Sequence, residues 1–424
     1  MKNRLVMKVS LVLALVAILT VGLMGTSAIA ADKTDSKPWS FGIISDTQWT
    51  VAQDGYNPNT VAAWIIKKID EQFIKAGVDL VIAVGDTVNE GETENIYTRA
   101  LYAQDLYNAG IGFYPLRGNH EVTEATIYPD SAAAMQYAFP QIGTGVNNHT
   151  PNDITTDLID AGILTNNPPA DKKGHPFVVG TSFSEPRTVN HNEYSRSYAF
   201  RYKNATFMLL DQFDASCSYT NSTIPEQMDW IEKTLSKRPD GTQAFVFVHK
   251  NILGQNHKDN MFGGNIIPAN GAAGQDPGDG DGMIISLLTQ AEKDALSAKI
   301  AAENEFIATM QANHVPLVIS GHDHNHYYST VTSTDGLSMV GQLITQSDSS
   351  KFYTPHAPYS SNDDPHEQDL YRVGYYIVTV DGSDVTIKYY ADTSHGNTSY
   401  YGDHGGDFTF ELFSTYTYSL SSLP

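Results

Sequence analysis

Five short apolar runs in this chain each end at a side chain of the kind that binds metal ions. The runs are WSFGIIS, VDLVIAVG, GFYPLRG, TQAFVFV and HVPLVISG, and the residues that follow them are Asp46, Asp86, Asn119 with His120, His249 and His322. Such runs, alternating with helical segments, are typical of an α/β protein. In open α/β sheets, ligands bind at the carboxyl ends of the strands. The pattern therefore predicts one polar site built from distant parts of the chain.

Each of these polar residues has an ordinary explanation when it is taken alone. An aspartate after a strand commonly caps a turn, and a single histidine is more often a hydrogen-bonded polar residue than a metal ligand. Five such strand ends together are harder to explain in that way. Carboxylate, amide and imidazole groups suit first-row divalent metals better than calcium, and they are too many for one four-coordinate ion. Two ions that share a carboxylate fit the number of side chains.

Segments with helical spacing separate the strand-like runs. We predict helices over 61–77, 95–110, 222–237 and 284–312. The first two end at glycines, which suit a helix C-terminus. Two alternating runs around Asp381 and Gly382 predict a β-hairpin. Segments 122–192 and 262–282 lack this order, and we interpret them as insertions over one face.

The first 30 residues have the pattern of an export signal. Three basic residues precede the apolar run LVLALVAILTVGLM, and TSAIA ends in a small-x-small cleavage pattern. The alternative is a membrane anchor, but the run is short for a bilayer span. We expect a signal peptide at 1–30, a linker at 31–38, a main domain over 39–392 and an extension over 393–424. The mature chain would be secreted or periplasmic, without a stable membrane span.

Acidic residues dominate the charge balance. The chain has 26 basic and 48 acidic residues, and loss of the signal peptide would remove three of the basic ones. A negative chain repels nucleic acid polymers and anionic membranes, so we expect no nucleic acid partner. Cys217 is the only cysteine, which excludes an internal disulfide. The stability of the fold must therefore come from packing, and the sequence leaves the oligomeric state open.

Five motifs at these strand ends resemble those of a known family. SDTQ, GDTVN, GNHE, FVHK and GHDH occur in this order, and over residues 40–392 the chain resembles the calcineurin-like metallophosphoesterases. That family has two mixed β-sheets sandwiched between α-helices, a four-layer α/β fold with a dinuclear metal site at the strand ends. The resemblance implies this fold class here. It also implies two divalent or trivalent metal ions, chosen from Mn, Fe, Zn and Mg.

The resemblance assigns the metal ligands position by position. They would be Asp46, Gln48 and His324 for the first metal, Asn119, His249 and His322 for the second, and Asp86 as the bridge between them. Gln48 stands where the family usually has a histidine. Since an amide oxygen is a poorer donor than imidazole for first-row transition metals, we expect the first site to be the weaker one.

The resemblance also implies roles for residues beside the metals. His120 would be the catalytic histidine, with Glu121 as a partner behind the site. Asn89 stands where many relatives have aspartate, and purple acid phosphatases a metal-binding tyrosine. Arg117 would either add charge to a phosphate pocket or lie on the surface. His326 alternates with His322 and His324, but we expect it to be solvated and not to be a ligand.

These residue types suit the hydrolysis of phosphate esters. Two metal ions about 3.5–4 Å apart bind phosphate oxygens and lower the pKa of a bridging water, which becomes the attacking hydroxide. Imidazole titrates near neutrality and can give the leaving group its proton. We therefore expect a metal-dependent phosphoesterase that acts on small phosphate mono- or diesters. The alternative, which Gln48 favours, is a secreted metal- or ligand-binding protein that keeps the fold without turnover.

Overall fold

The strand-like runs of the sequence are strands in the structure. It is a computed structural model, and it describes residues 37–50, 54–122, 131–139, 141–142, 179–186, 197–213, 222–257, 259–263, 289–349, 351–353, 363–369, 371–395 and 406–423. The expected signal peptide, Cys217 and most of both expected insertions lie outside these residues. None of the described helices has the length and the apolar composition of a membrane-spanning segment.

Strands alternate with one or two helices over residues 39–184 of the described chain. In order they are β1 (Trp39–Ile44), α1 (Ala63–Ala76), β2 (Leu80–Ala83), α2 (Thr93–Leu101), α3 (Gln104–Asn108), β3 (Gly112–Pro115), α4 (Ser131–Ala138), β4 (Thr181–Ser184), β5 (Tyr198–Tyr202) and β6 (Ala205–Leu210). They continue with α5 (Ile224–Ser236), β7 (Gln243–Val248), α6 (Gln290–Ala312), β8 (Leu317–Ser320), β9 (His326–Thr332), β10 (Met339–Ile344), β11 (Asp363–Asp369), β12 (Gly374–Asp381), β13 (Asp384–Asp392) and β14 (Phe410–Ser419).

The strands form two mixed sheets. The first has the order β14-β13-β12-β1-β2-β3, and the second has the order β11-β9-β10-β8-β7-β6-β5-β4. In the first sheet, β1, β2 and β3 are parallel, while β12 and β13 form the predicted antiparallel hairpin. In the second, β6, β7, β8 and β10 are parallel. The segment that we expected as a C-terminal extension contains β14, which pairs with β13 and continues the first sheet.

The two sheets pack face to face through aromatic side chains. Phe41 of β1 contacts Phe207 and Phe245 of the second sheet, with ring centroids 5.0 and 4.8 Å apart. Successive side chains of a strand point to opposite faces, so Phe207 lies in this core while Met208 and Leu210 pack in a second core with α5 and α6. Both faces of the second sheet are therefore buried.

Helix α1 contributes to the core of the first sheet. Its Phe73 packs edge-on against Tyr375 of β12, with ring centroids 5.3 Å apart. Gly77 ends the helix in the left-handed conformation, with φ 67°, as its sequence predicts. Helices, two mixed sheets and helices thus succeed one another, which confirms the predicted fold class.

One helix prediction is corrected by the structure. Segment 95–110 was expected to form a single helix, but it contributes to two, α2 and α3. The break occurs because the backbone N–H of Ala103 donates to the carbonyl of Ala100, three residues earlier, instead of continuing the α-helical pattern. Helix α3 ends at Asn108, two residues before the predicted end at Gly110, which has the left-handed φ of 77°.

Glu303 of α6 is a buried acid that should make stability depend on pH. One carboxyl oxygen accepts a hydrogen bond from Thr334 Oγ1 at 3.2 Å, and the other has no partner among the described residues. Burial raises the pKa of Glu303 from 4.5 to about 8. The folded protein therefore keeps a proton that the unfolded chain releases, and the free energy of unfolding falls as pH rises between these two values.

Replacement of Glu303 by glutamine should remove this dependence. We expect Glu303→Gln to be more stable than the wild type by roughly 2–4 kcal/mol at pH 8, and to differ much less at pH 5. Urea unfolding of both proteins at the two pH values measures the difference. Parallel pH profiles would show that this carboxyl group titrates normally.

Candidate metal centre

The predicted strand ends meet where the edges of the two sheets come together. Asp46, Asp86 and Asn119 follow β1, β2 and β3 of the first sheet, whereas His249 and His322 follow β7 and β8 of the second. The backbone N–H of His322 lies 3.1 and 3.2 Å from the two carboxylate oxygens of Asp46, which joins the sheets directly. One edge thus collects all five strand ends.

Four predicted ligands have an uncommon backbone conformation. The φ angles are 50° at Asp46, 46° at Asp86, 73° at His322 and 56° at His324. A positive φ is rare for residues other than glycine and costs of order 1–3 kcal/mol, and such residues cluster at functional sites. The neighbouring Gly321 has no room for a side chain, because a Cβ atom there would collide with Ser45 Oγ and Asp46 Oδ2. The loops are therefore shaped to bring side chains together.

Two groups of buried side chains could each hold a metal ion. One group is Asp86, His249 and His322, and the other is Asp46, Asp86 and His324. Within each group the ligand atoms lie within 4.8 Å of one another. Asp86 belongs to both groups. A single carboxylate therefore connects the two candidate sites, as the resemblance implies.

Each of these histidines has one ring nitrogen held by an oxygen. The partners are the carbonyl of Val84 for Nδ1 of His249 at 2.8 Å, the carbonyl of Lys351 for Nδ1 of His324 at 2.6 Å, and Asp259 Oδ1 for Nε2 of His322 at 2.9 Å. A ring nitrogen beside a carbonyl oxygen carries the proton, which leaves the other nitrogen free to bind a metal. Such partners fix the ring orientation of a ligand before the metal arrives.

The remaining ring nitrogens of His249 and His324 face other predicted ligands. Nε2 of His249 lies 3.0 Å from Asn119 Oδ1 and 3.3 Å from Asp86 Oδ2. Nε2 of His324 lies 3.4 Å from Asp46 Oδ1. Nitrogen and oxygen atoms at these separations could bind the same metal ion. The residues present therefore fit a pair of metal ions with nitrogen and oxygen ligands.

Protons must balance the buried carboxylates when no cation does. Burial raises the pKa of Asp46 to about 7, although His249 acts against this. Burial alone would also raise the pKa of Asp86, but His249 and His120 lower it well below its ordinary value. Burial alone would lower the pKa of His249, but the carboxylate of Asp86 raises it to about 9. The buried carboxylates of Asp46 and Asp86 are therefore charges that a bound cation would stabilise.

The comparison with protein families agrees with this geometry. A sequence model described as calcineurin-like phosphoesterase matches residues 40–326 of the chain. The chain belongs to this family. The match begins at β1 and ends two residues beyond the second histidine of GHDH, so it contains every predicted metal ligand. A search of curated proteins found no match.

Several solved structures are similar to this phosphoesterase-family chain. A purple acid phosphatase from yellow lupin has 14% sequence identity and a TM-score of 0.49 over 91% of this chain and 54% of its own. The GAP50 anchor of the Plasmodium inner membrane complex has 12% identity and a TM-score of 0.43, over 90% and 89%. A dimetal phosphatase from Danio rerio has 11% identity and a TM-score of 0.37, over 89% and 99%. The chain thus spans about half the length of the lupin protein.

Gln48 lies between the first candidate site and a lysine. One of its terminal amide atoms is 3.0 Å from Asp86 Oδ2, and the other is 2.7 Å from Lys351 Nζ. Hydrogen bonding assigns the nitrogen to the Asp86 side and the oxygen to the Lys351 side. A metal ligand would need the opposite orientation. Gln48 is here a hydrogen-bond partner of Asp86, and its role as a ligand stays a prediction.

His120 stands beside the two ligand groups. Its backbone N–H donates to Asp86 Oδ1 at 2.8 Å, and its Nδ1 donates to the carbonyl of Asn89 at 2.7 Å. The lone pair of Nε2 therefore faces Lys351 Nζ, 3.1 Å away. Burial lowers the pKa of His120, although Asp86 opposes this. His120 is placed to exchange a proton through Nε2, and Asn89 supports it through its backbone.

Glu121 connects two of the site loops. Its Oε1 accepts from the backbone N–H groups of Thr87 at 2.6 Å and Val88 at 3.1 Å, and its Oε2 accepts from Gly118 at 2.6 Å. These bonds hold the loop of Asp86 against the loop of His120. Glu121 thus positions both residues, as its place in GNHE implies.

Two expectations about polar residues change. Arg117 is buried, and its Nε donates to Asp211 Oδ2 at 2.6 Å, so its charge is already neutralised and it does not lie on the surface. The expectation that His326 is solvated was wrong, since only 3% of it is exposed. The His326 ring stacks on Tyr389 at 4.3 Å, and its Nδ1 lies 2.9 Å from Tyr376 Oη. His326, the next histidine of the alternating series, therefore lies in the core and not in the site.

A third group of possible metal ligands lies at the neighbouring loop. His257, His322 and Asp323 also have ligand atoms close together. However, Asp323 already accepts hydrogen bonds from Asn251 Nδ2 at 2.6 Å, from His257 Nδ1 at 2.8 Å and from the backbone N–H of Gln255. Its role is to hold this loop against GHDH.

Sequence reasoning missed two residues of the site, Asp259 and Lys351. Asp259 holds His322 and pairs with Lys250, but it lies in a loop whose sequence has no periodic pattern. Lys351 follows β10, which is parallel to β8 and therefore ends at the same edge. The strand-end rule that found the other residues, applied to the run MVGQLI, points to the segment that contains Lys351.

Proposed function

We propose that the mature protein is a secreted dinuclear-metal phosphoesterase that hydrolyses small phosphate mono- or diesters. The observation that carries this proposal is the sharing of Asp86 between two groups of buried ligands. Two ions that act on one phosphate must lie about 3.5–4 Å apart, and a shared carboxylate imposes such a spacing. Membership of the calcineurin-like phosphoesterase family supports the same class of reaction.

Metal ions bound here would supply positive charge to the phosphate oxygens and lower the pKa of the attacking water. The side chains of this protein would do the rest. Asp46 and His324 would hold the first ion, and Asn119, His249 and His322 the second, with Asp86 between them. His120 would take up a proton on Nε2, where the lone pair lies here, and pass it to the leaving oxygen, while Glu121 holds His120 and Asp86 in place.

Export is a separate part of the proposal. Basic residues, an apolar run and a small-x-small pattern in residues 1–30 support it. Expression of the full chain in a bacterial host should yield an exported protein that begins at Ala31. N-terminal sequencing of the periplasmic or secreted fraction checks this, and an intact Met1 would contradict it.

A second candidate is a metal-binding protein without turnover. The orientation of Gln48 favours it, because hydrogen bonding places the amide nitrogen, which cannot bind a metal, on the Asp86 side. His120 speaks against it, since holding a metal does not require a proton donor beside the site. The two candidates predict the same metal content and differ in turnover.

Metal removal and restoration distinguish these candidates. The mature chain should be stripped with a chelator, supplied separately with Mn, Zn, Fe or Mg, and assayed on p-nitrophenyl phosphate and bis-p-nitrophenyl phosphate. We expect hydrolysis of at least one ester, lost on chelation and restored by metal. Two tightly bound ions without turnover of either ester would support the binding protein instead.

A further inference from the structure

A lysine that the family motifs do not include reaches into the metal centre. The backbone carbonyl of Lys351 accepts from Nδ1 of His324, which fixes the residue beside the first candidate site. Its side chain then extends across the site, where Nζ lies 3.1 Å from His120 Nε2 and 2.7 Å from the Gln48 amide. The ammonium group therefore lies beside the predicted catalytic histidine and beside Gln48, which in turn contacts Asp86.

The ammonium group of Lys351 has only neutral hydrogen-bond partners there. A neutral imidazole and a neutral amide oxygen accept from it, and no carboxylate of the described residues forms an ion pair with it. The carboxylates that attract it from a longer distance are those of Asp86 and Asp46. Both carboxylates are predicted metal ligands. Bound metal ions would neutralise them and leave the ammonium group of Lys351 without a counterion. A half-buried cation of this kind suits an anionic ligand.

Other cations near the site are already neutralised. Arg117 is bound to Asp211, and Lys250 is bound to Asp259. The positive charge that the chain itself offers to a substrate, within the described residues at this edge, therefore comes from Lys351. This distinguishes it from the basic residues that hold the loops in place.

We propose that Lys351 binds an anionic phosphate oxygen and makes the enzyme selective for phosphate monoesters over diesters. This inference rests on the proposed phosphoesterase function. A monoester dianion has a third terminal oxygen and a second negative charge. A diester places a neutral ester group where that oxygen would be, so it gains less from an ammonium group at this position.

Two esters with the same leaving group test this selectivity. Lys351→Met, Lys351→Arg and the wild type should be compared on p-nitrophenyl phosphate and bis-p-nitrophenyl phosphate. The substitutions keep the backbone carbonyl that holds His324. Lys203→Met is the matched control: it removes an equal charge at the turn between β5 and β6, where Nζ is 2.7 Å from Asp79 Oδ2, at the end of β6 opposite the site.

The expected result is a loss confined to the monoester. Lys351→Met should lower kcat/KM for the monoester by roughly 10–100-fold, the worth of a hydrogen bond to a charged group, and change the diester by less than about 3-fold. Lys351→Arg should keep most of the monoester activity. Calorimetric titration of the metal-loaded proteins with inorganic phosphate should show affinity weakened by a similar factor in Lys351→Met alone, with metal content unchanged.

Two results would overturn the inference. Equal losses on both esters would show that Lys351 serves the leaving group or the fold, and unchanged phosphate affinity would show that it does not contact the anion. If the wild type hydrolyses neither ester, the proposed function fails. The phosphate titration then still decides whether Lys351 binds phosphate.

Discussion

Replacement of Asp86 by asparagine should weaken or abolish metal binding at both predicted sites, and not at one alone. Asp86 is the residue that the two groups of predicted metal ligands share, one with His249 and His322 and the other with Asp46 and His324. Asparagine keeps the shape but removes the charge, and its amide nitrogen cannot bind a metal. The affinity of each site should therefore fall by more than the roughly 10–100-fold that loss of an outer partner of a ligand costs. Elemental analysis of dialysed protein gives the metal content per chain.

His249→Ala is the matched comparison for Asp86→Asn. His249 belongs to the group with His322 and not to the group with Asp46, so this variant should lose mainly the second metal and keep the first. Both residues are buried, so thermal unfolding of each variant must show that the fold is kept. An Asp86→Asn protein that keeps two ions and full activity would contradict the dinuclear assignment.

Replacement of His120 by alanine should keep the metals and lose turnover. The side chain of His120 belongs to neither group of predicted metal ligands, and its Nε2 lies 3.1 Å from Lys351 Nζ. Loss of general acid catalysis typically lowers turnover by roughly 10²–10⁴-fold. The loss should shrink for esters with good leaving groups, which need little protonation. Measurement of kcat on aryl phosphates of graded leaving-group pKa tests this relation.

His314→Ala is a suitable control for the removal of an imidazole, because His314 is exposed and lies outside the site. It should leave kcat unchanged on every ester. If His120→Ala lowers kcat equally for poor and good leaving groups, His120 positions other groups and donates no proton. Metal content measured on the same samples separates that outcome from the loss of an ion.

That the predicted metal ligands would lie close together could be read from the sequence, because it depends on the order of the strands along the chain. Asp46, Asp86 and His249 each follow an apolar run, and parallel strands bring such ends to one edge whatever the loops between them contain. The packing of the sheets follows from the same runs, as Phe207 and Met208 on opposite faces of β6 illustrate. Period and order along the chain are sufficient for this level of structure.

The partners of individual polar side chains were not predictable in the same way. The position of Arg117 beside the GNHE motif suggests that it binds phosphate. Its guanidinium group instead forms an ion pair with Asp211, which is distant in sequence. His326 continues the alternation of GHDH, but β9 turns it toward Tyr376 and Tyr389 in the core. Lys351 belongs to no motif. These contacts depend on side-chain packing between distant elements, which a single sequence does not encode in any local pattern.

Anomalous X-ray scattering from crystals of the metal-loaded protein shows whether one carboxylate joins two metal ions at the meeting edges of the two sheets. We predict two anomalous peaks about 3.5–4 Å apart, with the Asp86 carboxylate between them, His324 at one peak and His249 at the other. A single peak, or two peaks that Asp86 does not join, would contradict a dinuclear site bridged by Asp86.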